Sequence, residues 1–242
     1  PDARNAVNRA VSQGLAAAAD QLDSSDDLSV AIITGSGGNF CAGMDLKAFV
    51  SGEAVLSERG LGFTNVPPRK PIIAAVEGFA LAGGTELVLS CDLVVAGRSA
   101  KFGIPEVKRG LVAGAGGLLR LPKRIPYQVA MELALTGDSF TAEDAARYGF
   151  INRLVDDGQA LDDATLGGAI EHEVHRPDLV GTARTQQRLP VGDRHLLPLP
   201  APHLQLRFLV QPLHALVVHE HPRLPQLEMD HPHAIALVQL CQ

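Results

Sequence analysis

No histidine occurs before His172 in this 242-residue chain, and no lysine after Lys123. The first absence removes the base that a Ser-His-Asp or Cys-His nucleophile needs, so Cys41 is not read as a nucleophile although it stands beside a glycine turn. Cysteine is scarce as well. Cys41, Cys91 and Cys241 are too few and too scattered for a disulfide framework or a zinc knuckle, and they suit a reducing, cytoplasmic setting. No apolar run approaches the roughly 20 residues of a membrane helix. No basic segment followed by an apolar stretch opens the sequence, so a secretory leader is not expected. The net charge of −6 gives no reason to expect nucleic acid or an anionic membrane as a partner.

Phosphate and metal motifs are missing too. The apolar segment ending at Thr34 runs into Gly35-Ser36-Gly37-Gly38, but Phe40 fills the sixth position of the dinucleotide pattern, and no Gly-Lys-Ser or Gly-Lys-Thr follows. His219 with His221 and His231 with His233 lack the helical spacing and carboxylate support of a metal site.

What is present reads as a globular core. Apolar residues make up 46% and charged residues 20%, and the length accommodates one sizeable core with or without an appendage. Residues 5–22 are rich in alanine, and Val7, Val11, Leu15 and Ala18 are spaced for one face of a helix. Residues 28–34, with the uninterrupted apolar run Val30-Ala31-Ile32-Ile33 between turn residues, read as a buried strand, and residues 71–76 and 92–95 repeat that pattern. Residues 84–91 and 141–148 fit short helices, the second capped by Thr141 with Glu143 and Asp144 in its first turn. Further elements are predicted from Gly117 (helix), over 151–155 (strand) and over 162–170 (helix). The alternation implies an α/β fold with substantially parallel pairing. No internal repeat is present.

Two glutamates stand beside turns able to aim them. Glu86 follows Ala80-Leu81-Ala82-Gly83-Gly84-Thr85, where two glycines allow a tight entry into a helix whose first N–H groups stay unpaired. Glu106 follows Phe102-Gly103-Ile104-Pro105 and precedes Gly114-Ala115-Gly116-Gly117. A third glycine-bearing turn, residues 40–46, follows the first apolar strand. Backbone donors in two turns together with two carboxylates suit acid-base chemistry beside a stabilised oxyanion.

These segments and Ala3-Arg4-Asn5-Ala6 stand in the order and at the spacing of the crotonase family. Over about residues 1–157 the chain resembles the enoyl-CoA hydratases of that family, and the pair of glutamates favours them over relatives with one carboxylate. The resemblance implies a crotonase-like α/β core, a ββα spiral. It also implies a lyase of fatty acid metabolism, adding water across the double bond of a 2-enoyl-CoA. The substrate is then an acyl-CoA thioester, and neither metal nor redox cofactor is required. Carried over residue by residue, it implies an oxyanion hole from the backbone N–H groups of Met44 and Gly83. Glu86 corresponds to the base and Glu106 to the acid, a coupled pair with one proton held near neutral pH. Ala3, Arg4 and Ala42 match backbone at the adenine and pantetheine end of the CoA site, and Asp45, Leu46 and Lys47 continue that wall. Lys47 either meets a CoA phosphate or is simply exposed. Gly114 falls where backbone approaches the catalytic water, a position that the turn alone also explains. Isomerisation, dehydration, thioester cleavage and non-catalytic acyl-CoA binding stay open as alternatives on the same fold.

The resemblance also implies a homotrimer or dimer of trimers built by a helical C-terminal region, and there the sequence departs. Nine of the sixteen prolines fall between Pro177 and Pro232, and only Gly181 and Gly192 lie beyond Gly168. Prolines at that density disallow long helices. The chain therefore divides into a core, residues 1–167, and an atypical Pro/His/Leu-rich tail, residues 168–242, read as frame-changed or disordered, or as a divergent domain, with assembly weakened. At the front, the family's first strand precedes the position of Pro1, so the core is expected to lack it and to expose a sheet edge.

Overall fold

Asn8 sets the start of the first helix: its side chain accepts the Val11 N–H at 3.0 Å, and α1 runs over Arg9–Ser24. The sequence predicted a start at residue 5. Arg4 and Asn5 instead take left-handed backbone angles, φ 51° and 55°, and Val7 pairs with Met44 in an isolated parallel bridge. The helix consequently buries Val11, Leu15, Ala19 and Leu22. The computed structural model describes residues 3–166 and 234–240.

After α1 come β1 (Leu28–Gly35), α2 (Leu46–Val50), β2 (Ile72–Val76), β3 (Phe79–Leu81), α3 (Gly83–Leu89), β4 (Leu93–Gly97) and β5 (Lys101–Gly103). A 3₁₀ helix, Pro105–Arg109, leads to α4 (Gly117–Arg124), α5 (Tyr127–Thr136), β6 (Ser139–Thr141), α6 (Ala142–Tyr148), β7 (Arg153–Val155), α7 (Ala160–Leu166) and β8 (Ala234–Leu240). The apolar runs form a five-stranded parallel sheet in the order β7-β4-β2-β1-β8. Every residue of β2 is buried, as a central strand covered on both faces requires. Asp92, predicted as the start of β4, stays outside it, and its carboxylate accepts the Ile72 N–H at 2.9 Å. Thr141 caps α6 as predicted, accepting the Asp144 N–H at 3.1 Å. Helix α7 starts earlier than predicted because Glu77 Oε1 accepts the N–H groups of Gly158 and Ala160 at 2.9 and 3.0 Å.

A second sheet, β3-β5-β6, was not predicted, since its strands of three residues are too short to show a period. Strand β3 runs parallel to β5, and β5 antiparallel to β6. Phe102 of β5 anchors this sheet by packing on Phe140 and Phe150, with ring centroids 5.6 and 5.1 Å away.

The edge of β1 is not open, contrary to expectation. Strand β8 pairs with it in parallel, from Leu28 opposite Ala234 to Gly35 opposite Leu240. Pro232 is the last proline, so residues 234–240 keep every backbone N–H that a ladder needs. The other expectations for the tail, including its lack of helices, its boundary at 167/168 and its altered reading frame, lie outside the described residues, as do all nine histidines. Among the described residues no helix is long and apolar enough to cross a membrane.

Helix α3 is seated directly on residue 41. A Cβ on Gly84 would lie 2.2 Å from the Cys41 carbonyl oxygen, whereas one on Gly114 would meet only Val112 O at 3.7 Å. Gly84→Ala is therefore expected to cost about 1–3 kcal/mol, and Gly114→Ala to change stability by no more than about 0.5 kcal/mol. Urea denaturation of the two variants checks this, and equal losses would contradict the seating of α3.

Candidate active site

Residues 41–45 run beside β3 and the entry to α3. The Cys41 N–H donates to Phe79 O at 2.8 Å and the Leu81 N–H to Cys41 O at 2.9 Å. Further on, the Val7 N–H donates to Gly43 O at 2.8 Å and the Asp45 N–H to Val7 O at 2.9 Å. This bridge uses the groups flanking Met44, so the Met44 N–H faces away from Val7. It faces Gly83: a Cβ on Gly83 would lie 3.5 Å from the Met44 nitrogen, and a Cβ on Gly43 would lie 3.2 Å from the Gly83 nitrogen. The two amides are neighbours, and neither donates to an acceptor among the described residues. The Gly83 amide is unpaired because it opens a helix.

Ala82 creates this arrangement. Its φ of 52° and ψ of −125° are rare for a residue with a Cβ and cost on the order of 1–3 kcal/mol. Two hydrogen bonds hold it there, from its own N–H to Gly103 O at 2.9 Å and from the Glu86 N–H to its carbonyl at 3.1 Å.

Glu86 lies in the first turn of α3 and is 3% exposed. Its Oε1 accepts the Gly117 N–H at 2.9 Å, an amide that opens α4 and has no partner within that helix. Burial raises its pKa above the ordinary carboxylate value; the Gly117 and Ala115 amides and the Arg120 guanidinium offset part of that rise. Glu106 follows Pro105 at the start of the 3₁₀ helix, and its Oε2 is buried without a hydrogen-bond partner. Burial pushes this carboxyl up to about 7; its own backbone N–H opposes the rise and the charge of Glu86 adds to it. Both carboxyls are raised, but their surroundings differ: two amides and a guanidinium favour the anion at Glu86, while at Glu106 only its own N–H does so and Oε2 has no donor.

The other predicted residues divide into two groups. Arg4 accepts the Ala42 N–H at 2.9 Å and Ala3 the Ala6 N–H at 3.2 Å, which places Ala3, Arg4 and Ala42 on the seam that continues to Met44. The Arg4 guanidinium stacks over Phe79, 5.2 Å from the ring centroid. Asp45 caps α2, its carboxylate accepting the N–H groups of Lys47 and Ala48 at 2.9 and 3.2 Å. Leu46 and Lys47 are exposed on that helix, and Gly114 is exposed on the turn before α4. No hydrogen bond among the described residues joins Lys47 or Gly114 to the carboxyl pair. Gly114 does not have a left-handed φ, so the turn does not demand glycine there. Cys41 is buried, and burial pushes its thiol up to about 12 despite the opposing Gly43 N–H, which leaves it inert at neutral pH.

Several residues that shape the site were not singled out in the sequence. Gly117 donates to Glu86, and Arg120 ties Thr64 O at 2.5 Å to Ala115 O at 3.1 Å. The side chain of Leu61 covers Gly83. The start of α4 signalled a free amide at Gly117; nothing in the local pattern signalled Leu61 or Arg120.

The profile of the enoyl-CoA hydratase/isomerase family matches residues 1–170. A crystal structure of a probable enoyl-CoA hydratase/isomerase from Mycobacterium abscessus is similar with a TM-score of 0.67 and 96% identity, covering 68% of this chain and 65% of that one. Mevalonyl-coenzyme A hydratase sidH of Aspergillus fumigatus is 44% identical over 171 residues, 66% of this chain and 62% of its own length. Enoyl-CoA hydratase EchA19 of Mycobacterium tuberculosis is 44% identical over 177 residues, 66% and 64% of the two chains. The chain thus spans less than two thirds of the length of these curated relatives. With the profile covering most of the sequence and the same fold found in close sequence relatives, the chain belongs to the enoyl-CoA hydratase/isomerase family, of crotonase fold.

Proposed function

We propose that this chain carries hydration chemistry, the addition of water across the double bond of a 2-enoyl-CoA thioester. The observation that carries the reading is the unequal pair of carboxyl groups, Glu86 buried and served by amides and Glu106 half-buried with Oε2 lacking a donor, beside two free backbone donors. In this reading the thioester oxygen accepts from the Met44 and Gly83 N–H groups. Negative charge develops on that oxygen as water attacks C3, so these donors stabilise the transition state more than the substrate. Glu86, as the anion, takes a proton from the water while the C3–O bond forms. Glu106 delivers its proton to C2, and transfer between the two carboxyl groups restores the starting state. The seam of Ala3, Arg4 and Ala42 and the adjoining residues Asp45, Leu46 and Lys47 receive the CoA portion, and the exposed backbone at Gly114 borders the water. Two relatives are named as hydratases of different acyl-CoA compounds, which supports water addition over isomerisation.

If the carboxyl groups act as one unit, Glu86→Gln and Glu106→Gln should each lower turnover of crotonyl-CoA by about 10²–10⁴-fold, with the double variant little worse. Loss of the enoyl thioester absorbance measures this. Additive losses of about tenfold each would reduce both residues to pocket walls.

The oxyanion role lies in backbone, so Met44→Ala should keep most of the turnover and Met44→Pro should lose roughly 100-fold or more. Circular dichroism establishes that both variants are folded. A Met44→Ala chain as impaired as Met44→Pro would assign the effect to the side chain.

The Glu106 titration also has a stability signature. Its folded pKa of about 7 exceeds the ordinary 4.5, so its contribution to stability is complete below about pH 4.5 and is lost as pH rises through about 7. Urea midpoints measured from pH 4.5 to pH 8 should decline over that window. Glu106→Gln should flatten part of the decline, with Glu86, raised in the same direction, supplying the rest. An unaltered slope in Glu106→Gln would show that the carboxyl is solvated.

A further inference from the structure

The two carboxyl groups reach the site from different elements, Glu86 from α3 and Glu106 from the segment that follows β5. No hydrogen bond joins them among the described residues. Their separation depends on how α3 is fixed against β5; the Ala82 N–H, just before α3, bonds Gly103 O at 2.9 Å, and one side chain completes that junction. Thr85, the residue before Glu86, is fully buried. Its hydroxyl lies 2.6 Å from Ala80 O in β3 and 2.8 Å from Gly103 O in β5, and it accepts the Gly103 N–H at 3.0 Å. The single hydroxyl proton serves one of the two carbonyls while a lone pair takes the Gly103 amide. Gly103 is held from the far side as well, since a Cβ there would come within 3.1 Å of Ser139 Cα in β6. From Gly103 the chain passes through buried Ile104 and the restricted φ of Pro105 into Glu106, a path with little slack.

From these contacts we infer that Thr85 is a positioning residue that sets the spacing of the two reactive carboxyl groups by tying the helix of Glu86 to the strand that feeds Glu106. A valine at this position keeps the shape and deletes all three contacts. The Ala82 N–H bond to Gly103 O remains, so α3 pivots about that point, which moves Glu86 and lets water toward Glu106. The turnover arm of the test rests on the hydration reading above; the titration arm does not.

The full chain, with its glutamate carboxyl carbons labelled, is titrated by nuclear magnetic resonance as Thr85, Thr85→Val and Thr85→Ser, with Glu106→Gln assigning the signal. Crotonyl-CoA hydration is measured on the same samples. In Thr85→Val the Glu106 midpoint is expected to fall from about 7 toward the ordinary glutamate value by roughly half a pH unit or more. The value of kcat should drop about tenfold or more with KM changed little, and Thr85→Ser should restore both. An unmoved midpoint in Thr85→Val overturns the inference, as does a midpoint displaced equally in Thr85→Ser, because the hydroxyl would then not be the cause. If Thr85→Val does not fold, Thr85→Ser decides alone: the parent midpoint supports the inference and a displaced one overturns it. A parent chain that fails to hydrate crotonyl-CoA while Thr85→Val still moves the midpoint defeats the hydration reading and leaves the positioning role standing.

Discussion

Between residues 41–44 and the start of α3 the contact is made by backbone against backbone. A Cβ on Gly84 would stand 2.2 Å from the Cys41 oxygen, and one on Gly43 would stand 2.7 Å from the Ala82 Cβ. Glycine at these positions lets two amides come together that belong to segments about forty residues apart. The remaining parts of the site follow from that approach. Ala82 bends so that α3 can begin there, the first turn of α3 presents Glu86, and α4 then starts where its opening amide meets the Glu86 carboxylate.

Burial acts on three titratable groups in this region with different results. At Cys41 it suppresses the thiolate almost completely. At Glu86 the same desolvation is opposed by amides and a guanidinium. Glu106 receives less help and also feels the charge of Glu86, so it is pushed up to about 7. The two carboxyl groups differ in their neighbouring donors, while the thiol is raised from a higher ordinary value.

The large apolar strands were legible in the sequence because burial on both faces leaves an uninterrupted run, as in residues 72–76. Both glutamates and their glycine turns were legible for a related reason: a tight turn narrows the choice of residue. The start of α1 was misplaced because alanine-rich periodicity extends through Val7, whereas a long-range bridge to Met44 and the side chain of Asn8 decide the boundary. Three-residue strands such as β3 and β5 carry no period and depend on partners distant in sequence. The same holds for the pairing of β8 with β1, which no local signal announced. Thr85 looked like an unremarkable helix residue, since its two contacts with Gly103 exist only once α3 lies against β5.

Strand β2 lies at the centre of the parallel sheet with no exposed residue, bonded to β1 on one side and to β4 on the other. Its amide protons can exchange with solvent only when the whole sheet opens, and their exchange rate therefore reports the global stability of the fold. The Met44 and Gly83 amides have no acceptor among the described residues, so a small local opening suffices to exchange them. Isotope exchange consequently separates the two layers of this molecule. On the proposed hydration reading, a bound thioester would slow exchange at Met44 and Gly83 by supplying the missing acceptor, and it would slow exchange in β2 only to the extent that binding stabilises the folded chain as a whole.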